Sequence, residues 1–178
     1  GGVKEIEGLS LAVATAVLGG LKLCGAENIK LKWPNDLLYQ KRKIGGILLE
    51  VVGDPSGYCQ VIIGVGVNMG MPENLSELAD QQWANTGEFL DPKVGRNQLA
   101  GVVIGELLLL LDGYKKTGFL GYKKEWLEHD AFKGERVELI MVNNSVEGTV
   151  HGVDDSGALI LKVDGEIKVF SGGEISLR

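Results

Sequence analysis

Lys30-Leu31-Lys32-Trp33-Pro34-Asn35-Asp36-Leu37-Leu38-Tyr39-Gln40-Lys41-Arg42-Lys43-Ile44-Gly45-Gly46-Ile47-Leu48-Leu49-Glu50 gathers two lysines, an amide and a carboxylate around one tight turn. Ile29, Leu31 and Trp33 alternate with Lys30 and Lys32, so one face of a strand is apolar and the lysines point the other way. Pro34 ends that strand because it cannot donate to a ladder, and Asn35 and Asp36 fold readily onto their own backbone in a turn. Apolar residues at 37–39 and 44–52 flank the polar run 40–43, which predicts a hairpin with Lys43 at the start of the returning strand. Gly45 and Gly46 follow at once. Paired glycines inside a strand mark a place where a ligand or another backbone comes close.

Working outward, residues 58–67 form a further strand ending in Gly64-Val65-Gly66-Val67-Asn68, again bare backbone followed by a polar side chain. Strands at 29–33, 37–40, 44–52 and 58–67 joined by short turns favour antiparallel pairing, since a parallel crossover needs a dozen or more residues. Upstream, Glu7-Gly8-Leu9-Ser10 leads into the small and apolar residues 11–18, continuing to Leu21 and Leu23, which predict a helix buried on nearly all sides, weakened by Gly19-Gly20 and ended near Gly25. Downstream, 69–92 is long and aperiodic, a feature of functional or mobile loops, and contains Trp83. That indole either covers the core edge or stacks on a flat ligand. Leucines and valines at helical spacing over 93–116 predict an amphipathic helix whose leucine run is core, and 119–128 a second helix with Trp126 packed inside. His129-Asp130 lacks a nucleophile and is not read as catalytic.

From residue 131 the texture changes to short alternating strands at 136–142, 146–153, 158–163 and 167–170, with turns at Asn143-Asn144, 154–157 and Asp164-Gly165. The expected class is therefore α+β: a mostly antiparallel mixed sheet packed with helices over 1–130, then a small C-terminal β-barrel over 131–178.

Composition narrows the function. The 178 residues carry a net charge of −6, a poor match for nucleic acid, whose binding depends on clustered lysine and arginine. The local Lys41-Arg42-Lys43 suits a small anion better. The longest wholly apolar run, 107–111, is far too short to span a membrane. Cys24 and Cys59 are widely separated and read as free, buried thiols in a reducing cytoplasm. Gly64-Val65-Gly66 fails as a dinucleotide fingerprint, because Met69 stands where the third glycine belongs and Pro72 where a helix should open. The hairpin instead offers fixed cations beside exposed backbone N–H groups, equipment for holding phosphate and carboxylate oxygens together.

Four pieces in order, 32–37, 43–50, 64–69 and 172–178, closely resemble the catalytic domain and C-terminal barrel of biotin protein ligases. That resemblance implies activation of biotin by ATP to biotinyl-AMP, then transfer to a lysine of a biotin carboxyl carrier protein, in the cytoplasm. It assigns Lys43 to the biotin carboxylate and the phosphate. Lys32, Asn35 and Asp36 go to the nucleotide side, with Asp36 either deprotonating the incoming lysine or holding Mg²⁺. The backbone wall falls to Gly45, Gly46, Gly64 and Gly66, an amide near the adenylate to Asn68, adenine stacking to Trp83, and a contact from the barrel to Arg178. Family members also carry a Ser/Thr-Asn motif and an arginine- and glycine-rich loop that clasps biotin. Neither occurs in these residues, so the isolated chain is expected to keep only the nucleotide side. Homodimer pairing through an exposed strand edge, a lipoate or other carboxylate-adenylating ligase, and a non-catalytic interaction module stay open as alternatives.

Overall fold

A computed structural model describes residues 6–53, 59–70 and 82–177. Helix α1 (Leu9–Leu23) runs through the centre of the molecule, and eleven of its residues are buried. It has no polar stripe because residues 11–18 have no solvent side, as their composition predicts, while its last turn exposes Lys22 and Leu23. Gly20 has a use that helix propensity hides: a Cβ there would lie 2.9 Å from Val103 Cγ2 and 3.1 Å from Val103 Cα, so its absence lets the second long helix pack close.

Strands β1 (Ile29–Lys32), β2 (Asp36–Tyr39), β3 (Arg42–Gly53) and β4 (Cys59–Val67) form one sheet in sequence order. Every pairing is antiparallel, and the parallel contacts described are two isolated bridges, Leu31 with Asp130 and Lys43 with Trp83. Ile29, Leu31, Leu37, Ile44 and Ile47 are buried. Burying an aliphatic side chain of this size is worth about 1.5–3 kcal/mol.

Helix α2 (Arg96–Thr117) packs against α1, and α3 (Leu120–His129) follows with Trp126 fully buried. The leucine run of α2 is not all core. Leu110 is buried, but Leu108 and Leu109 are 65% and 70% exposed, because consecutive residues lie about 100° apart on a helix and cannot all face α1. Cys24 is half-buried rather than buried, and the side chain of Cys59 lies outside the described residues. No helix among the described residues is long and apolar enough to cross a membrane.

The chain enters the second sheet where Ala131 N donates to Leu31 O at 2.8 Å. Strands β5 (Arg136–Ile140), β6 (Ser145–Val153), β7 (Leu159–Val163), β8 (Glu166–Phe170) and β9 (Glu174–Leu177) are antiparallel in the order β8-β7-β6-β5-β9, and the described pairings do not join β8 to β9. β9 is a strand beyond the four expected here. The two sheets are tied by Trp33, whose Nε1 donates to Gly157 O at 3.0 Å in a buried bond, and Asp154 Oδ1 holds that turn by accepting from Ser156 N and Ala158 N.

Candidate active site

Register builds the site. Lys32 pairs with Asp36, Asp36 with Gly46, and Gly46 with Gly66, so these four residues form one row across β1 to β4 and share a face. Two side chains of the row carry opposite charge and two are absent.

Lys43 reaches the same face through an irregularity. Leu37 pairs with Gly45 and Leu38 with Lys43, leaving Ile44 as an extra residue on β3. Counting back from Gly46 by twos would put Ile44 on Asp36's face and turn Lys43 away. The bulge exchanges them: Ile44 is fully buried, and Lys43 Nζ lies 2.6 Å from Asp36 Oδ1. The two-residue turn before it, Gln40 and Lys41 with φ of 50° and 63°, fixes where β3 begins.

Asp36 is 6% exposed and Lys32 7%. Asp36 Oδ2 is 4.0 Å from Lys32 Nζ, and Lys32 also lies 3.8 Å from Glu174 Oε1 of β9. Asp36 Oδ1 contacts the Lys43 ammonium without accepting a hydrogen bond, so the contact is an ion pair at poor angle and Oδ1 is a buried oxygen without a donor. Lys43 keeps about a third of its side chain exposed, and its ammonium can turn to an arriving anion without unfolding anything.

The glycines divide by role. A Cβ on Gly45 would fall on the Gly66 carbonyl oxygen, so Gly45 serves the close approach of two strands. At Gly46 it would meet Asp36 Oδ1 at 3.3 Å and Lys43 Cε at 3.4 Å, so that missing side chain makes room for the ion pair. Gly64 meets only ordinary contacts with Leu48, and Gly66 nothing closer than Gly46 O at 3.8 Å, leaving bare backbone beside the charges.

Two amides assigned to a ligand are used by the chain itself. Asn35 Nδ2 donates to Ile47 O, and Asn35 O accepts from Ile47 N, both at 2.8 Å, pinning the Pro34 turn onto β3. Asn68 Nδ2 bridges Lys43 O at 3.1 Å and Ala84 O at 3.2 Å. Lys43 N donates to Gln82 O and Ala84 N to Lys43 O, both at 3.0 Å, which lays half-buried Trp83 alongside Lys43. Arg178 lies outside the described residues.

The basic run at 41–43 is not a free cationic patch. Arg42 Nη1 reaches Trp83 O and Glu88 Oε1, each at 3.3 Å, and Nη2 pairs with Glu88 Oε2. Glu88 and Glu174 are absent from the sequence-level assignment, and Arg42 enters it only as part of the basic run read as suited to a small anion. The alternation Glu174-Ile175-Ser176-Leu177 is the signal that could have found β9, whereas nothing local announces Arg42's partner. His129 and Asp130 go separate ways: the ring contacts Lys22 Nζ and Glu125 O, while Asp130 Oδ1 accepts from Phe132 N. One apolar cavity among the described residues, of about 470 Å³, lies away from the row, between β4 and α2. The charged row lies on a sheet face that is open at Gly66, partly open at Gly46 and Lys43, and closed over Lys32 and Asp36. Among the described residues no three His, Cys, Asp or Glu side chains gather as a metal cage.

Residues 3–68 match the Biotin/lipoate A/B protein ligase family, and residues 132–178 match the family described as Biotin protein ligase C terminal domain. The chain is 38% identical over 171 residues to the bifunctional ligase/repressor BirA of Escherichia coli, covering 96% of this chain and 53% of that protein. It is 33% identical over 183 residues to the biotin–[acetyl-CoA-carboxylase] ligase of Paracoccus denitrificans, covering 98% of this chain and 75% of that one. The chain thus spans about half the length of BirA. Among solved structures, the biotin protein ligase of Aquifex aeolicus has the same fold, with a TM-score of 0.84 at 24% identity over 99% of this chain and 76% of that chain.

Proposed function

The chain belongs to the biotin protein ligase family, and on that premise we propose that the protein joins biotin to ATP as biotinyl-AMP and passes the biotinyl group to a lysine of a carrier protein. The observation that carries the reading is the Lys43–Asp36 pair, set by a bulge beside the bare backbone of Gly46 and Gly66.

In the first step the biotin carboxylate oxygen bonds to the α-phosphorus of ATP and the bond to the β-phosphate bridge breaks, releasing pyrophosphate. Two anions must meet, and an ammonium between them offsets their repulsion and stabilises the charge that develops. Lys43 has the reach, with its side chain partly exposed and its Nζ beside Asp36. Lys32 supplies a second, buried cation in the same row. In the second step the carrier lysine nitrogen bonds to the biotinyl carbonyl carbon, AMP leaves with the bonding pair, and the amine loses a proton. Asp36 is read as the base that takes that proton once Lys43 has swung onto phosphate.

Asp36 fits a resident Mg²⁺ poorly, since ammonium groups already face both its oxygens. No step is routed through a metal here; an ion carried on the ATP phosphates needs no protein cage. Trp83 is read as the adenine-side surface, Asn35 and Asn68 as braces of the site, and Arg178 as a further nucleotide contact. The partner is a biotin carboxyl carrier protein, the setting cytoplasmic, and pairing of two copies through a strand edge remains part of the reading. The 3–68 match spans biotin and lipoate ligases alike, which keeps lipoate as the second substrate to examine.

The test is pyrophosphate release by the full-length protein with ATP and either biotin or lipoate, followed by label transfer to a carrier protein. Biotin-dependent release and transfer are expected. Release with lipoate alone would move the protein to the second reading, and none with either would end the ligase reading.

A further inference from the structure

Arg42 and Glu88 lie outside the charged row, and no step above uses them. Arg42 presents a fork to Glu88, with Nη1 3.3 Å from Oε1 and Nη2 on Oε2, and the same Nη1 lies 3.3 Å from Trp83 O. Glu88 Oε1 also accepts from Asn85 N at 3.0 Å, while Asn85 Oδ1 accepts from Gly87 N at 2.9 Å, closing a capping box on the single 3-10 turn Thr86–Glu88. One carboxylate therefore shapes the turn and fastens it to β3.

We propose that the Arg42–Glu88 pair is a positioning latch that sets ATP affinity by holding the Trp83 segment against the strand that carries Lys43. The inference rests on the ligase reading for the identity of the nucleotide. It stands on the division of labour between consecutive residues. Arg42's side chain grips 83–88, Lys43's backbone is hydrogen-bonded to Gln82 and Ala84, and Lys43's side chain goes to Asp36. A segment fastened this way is already in place when the nucleotide arrives, and the ordering cost that would otherwise weaken binding is reduced. The pair is about 30% exposed at both ends, with side chains at 28% and 33%, and such pairs contribute little to global stability. Its effect is therefore local. Arg42's hydrogen bond, countered in part by burial and helped by Asn85 N–H, holds the Glu88 carboxyl below its ordinary range, so the latch stays charged at neutral pH. Biotin chemistry at Lys43 Nζ does not touch either side chain.

The experiment measures ATP affinity by calorimetry for full-length wild type, Arg42→Glu, Glu88→Arg and the double exchange, with KM for ATP and for biotin from pyrophosphate release. Each single reversal is expected to weaken ATP binding about tenfold, which is 1.4 kcal/mol, and to raise KM for ATP with KM for biotin changed less than about twofold. The exchange re-forms the guanidinium–carboxylate pair but not the cap on Asn85 N or the bond to Trp83 O, so it recovers part of the loss, and any recovery over the single reversals is an outcome that separate structural roles for the two residues do not produce. Unchanged ATP affinity in the single variants, or equal loss for ATP and biotin, overturns the latch. If the reversals fail to fold, Glu88→Gln decides by the same ATP measurement: weakened binding supports the latch and unchanged binding overturns it. A wild type that binds ATP but releases no pyrophosphate with biotin sinks the ligase reading while the latch is still read from calorimetry. A wild type that binds no ATP overturns both.

Discussion

Three glycine-to-alanine changes on two neighbouring strands should have three different consequences, because a Cβ meets different atoms at each. In Gly45→Ala it lands on the Gly66 carbonyl oxygen, with the Gly66 carbonyl carbon and Val67 Cα each at 3.4 Å, and all of these are backbone. Strand β4 has to shift along its pairing with β3, an overpacking cost of about 2–3 kcal/mol. For a chain of this size that lowers Tm by about 4–12 °C. In Gly46→Ala the contacts are Asp36 Oδ1 at 3.3 Å, Lys43 Cε at 3.4 Å and Lys43 Nζ at 3.5 Å. The lysine end moves easily, so stability changes by less than about 1 kcal/mol, partly offset by the reduced freedom of the unfolded chain. The Lys43–Asp36 pair is pushed apart, however, and activity falls. In Gly66→Ala the nearest atom is Gly46 O at 3.8 Å, so stability stays within about 0.5 kcal/mol of wild type. Urea and thermal unfolding of the full-length variants, beside biotin-dependent pyrophosphate release, separate the cases. A Gly45→Ala protein as stable as wild type, or a Gly66→Ala protein less stable than Gly45→Ala, would refute the close approach of β3 and β4.

Lys43→Ala should lower biotin-dependent pyrophosphate release by about 100-fold or more, the cost of removing one preorganised charge from a reacting centre; undiminished release removes Lys43 from its role. Trp33→Phe keeps the buried ring but loses the donor to Gly157 O, and thermal unfolding should show a loss of about 1–3 kcal/mol; an unchanged midpoint means the bond does not tie the sheets. Burial raises the Asp130 carboxyl above its ordinary range, only partly offset by Phe132 N–H and the charges of Lys133 and Lys30. A raised folded value means the native state holds its proton to higher pH than the unfolded chain, so the carboxyl lowers stability progressively as pH rises through that value. Asp130→Asn should therefore unfold at higher urea than wild type near pH 7, with the difference gone below about pH 4, where both states are protonated; a difference that persists in acid points to packing instead.

The four-stranded sheet was legible because its turns are short and local: Pro34 stops β1, a two-residue turn joins β2 to β3, and alternation fixes which face is apolar. The bulge at Ile44 was not, since it is a property of pairing, and no residue in 42–46 announces that one position will be skipped. Lys32 reads as a lysine pointing away from the core, yet it is buried, and the nearby Glu174 belongs to a strand some 140 residues later. The family resemblance assigns Asn35 and Asn68 to the ligand, and nothing in the residues beside them shows that the chain also uses their amides. Their partners are backbone carbonyls that only the folded sheet brings near. The leucines of α2 misled in the other direction, since composition alone does not say which side meets α1.

The charge inventory of the row explains why its parts must be placed rather than merely present. Lys32 and Lys43 bring two positive charges to one carboxylate, and all three groups lie on one face of a sheet whose other face is apolar. Without the bulge, Lys43 would point to the other face of the sheet, leaving a buried carboxylate with Lys32 alone at 4.0 Å, a weak match for the cost of desolvation. With the bulge, the three groups sum to one positive charge. Glu174, 72% exposed and 3.8 Å from Lys32, balances it loosely. A buried excess of positive charge with a solvated, easily displaced counter-ion favours an anion arriving from the open side. Gly46 and Gly66 keep that side free of side chains, so phosphate oxygens can approach the backbone of β3 and β4. The same row that stabilises the fold by pairing its charges is thereby left one anion short, and the ligase reading supplies that anion as the phosphate of ATP.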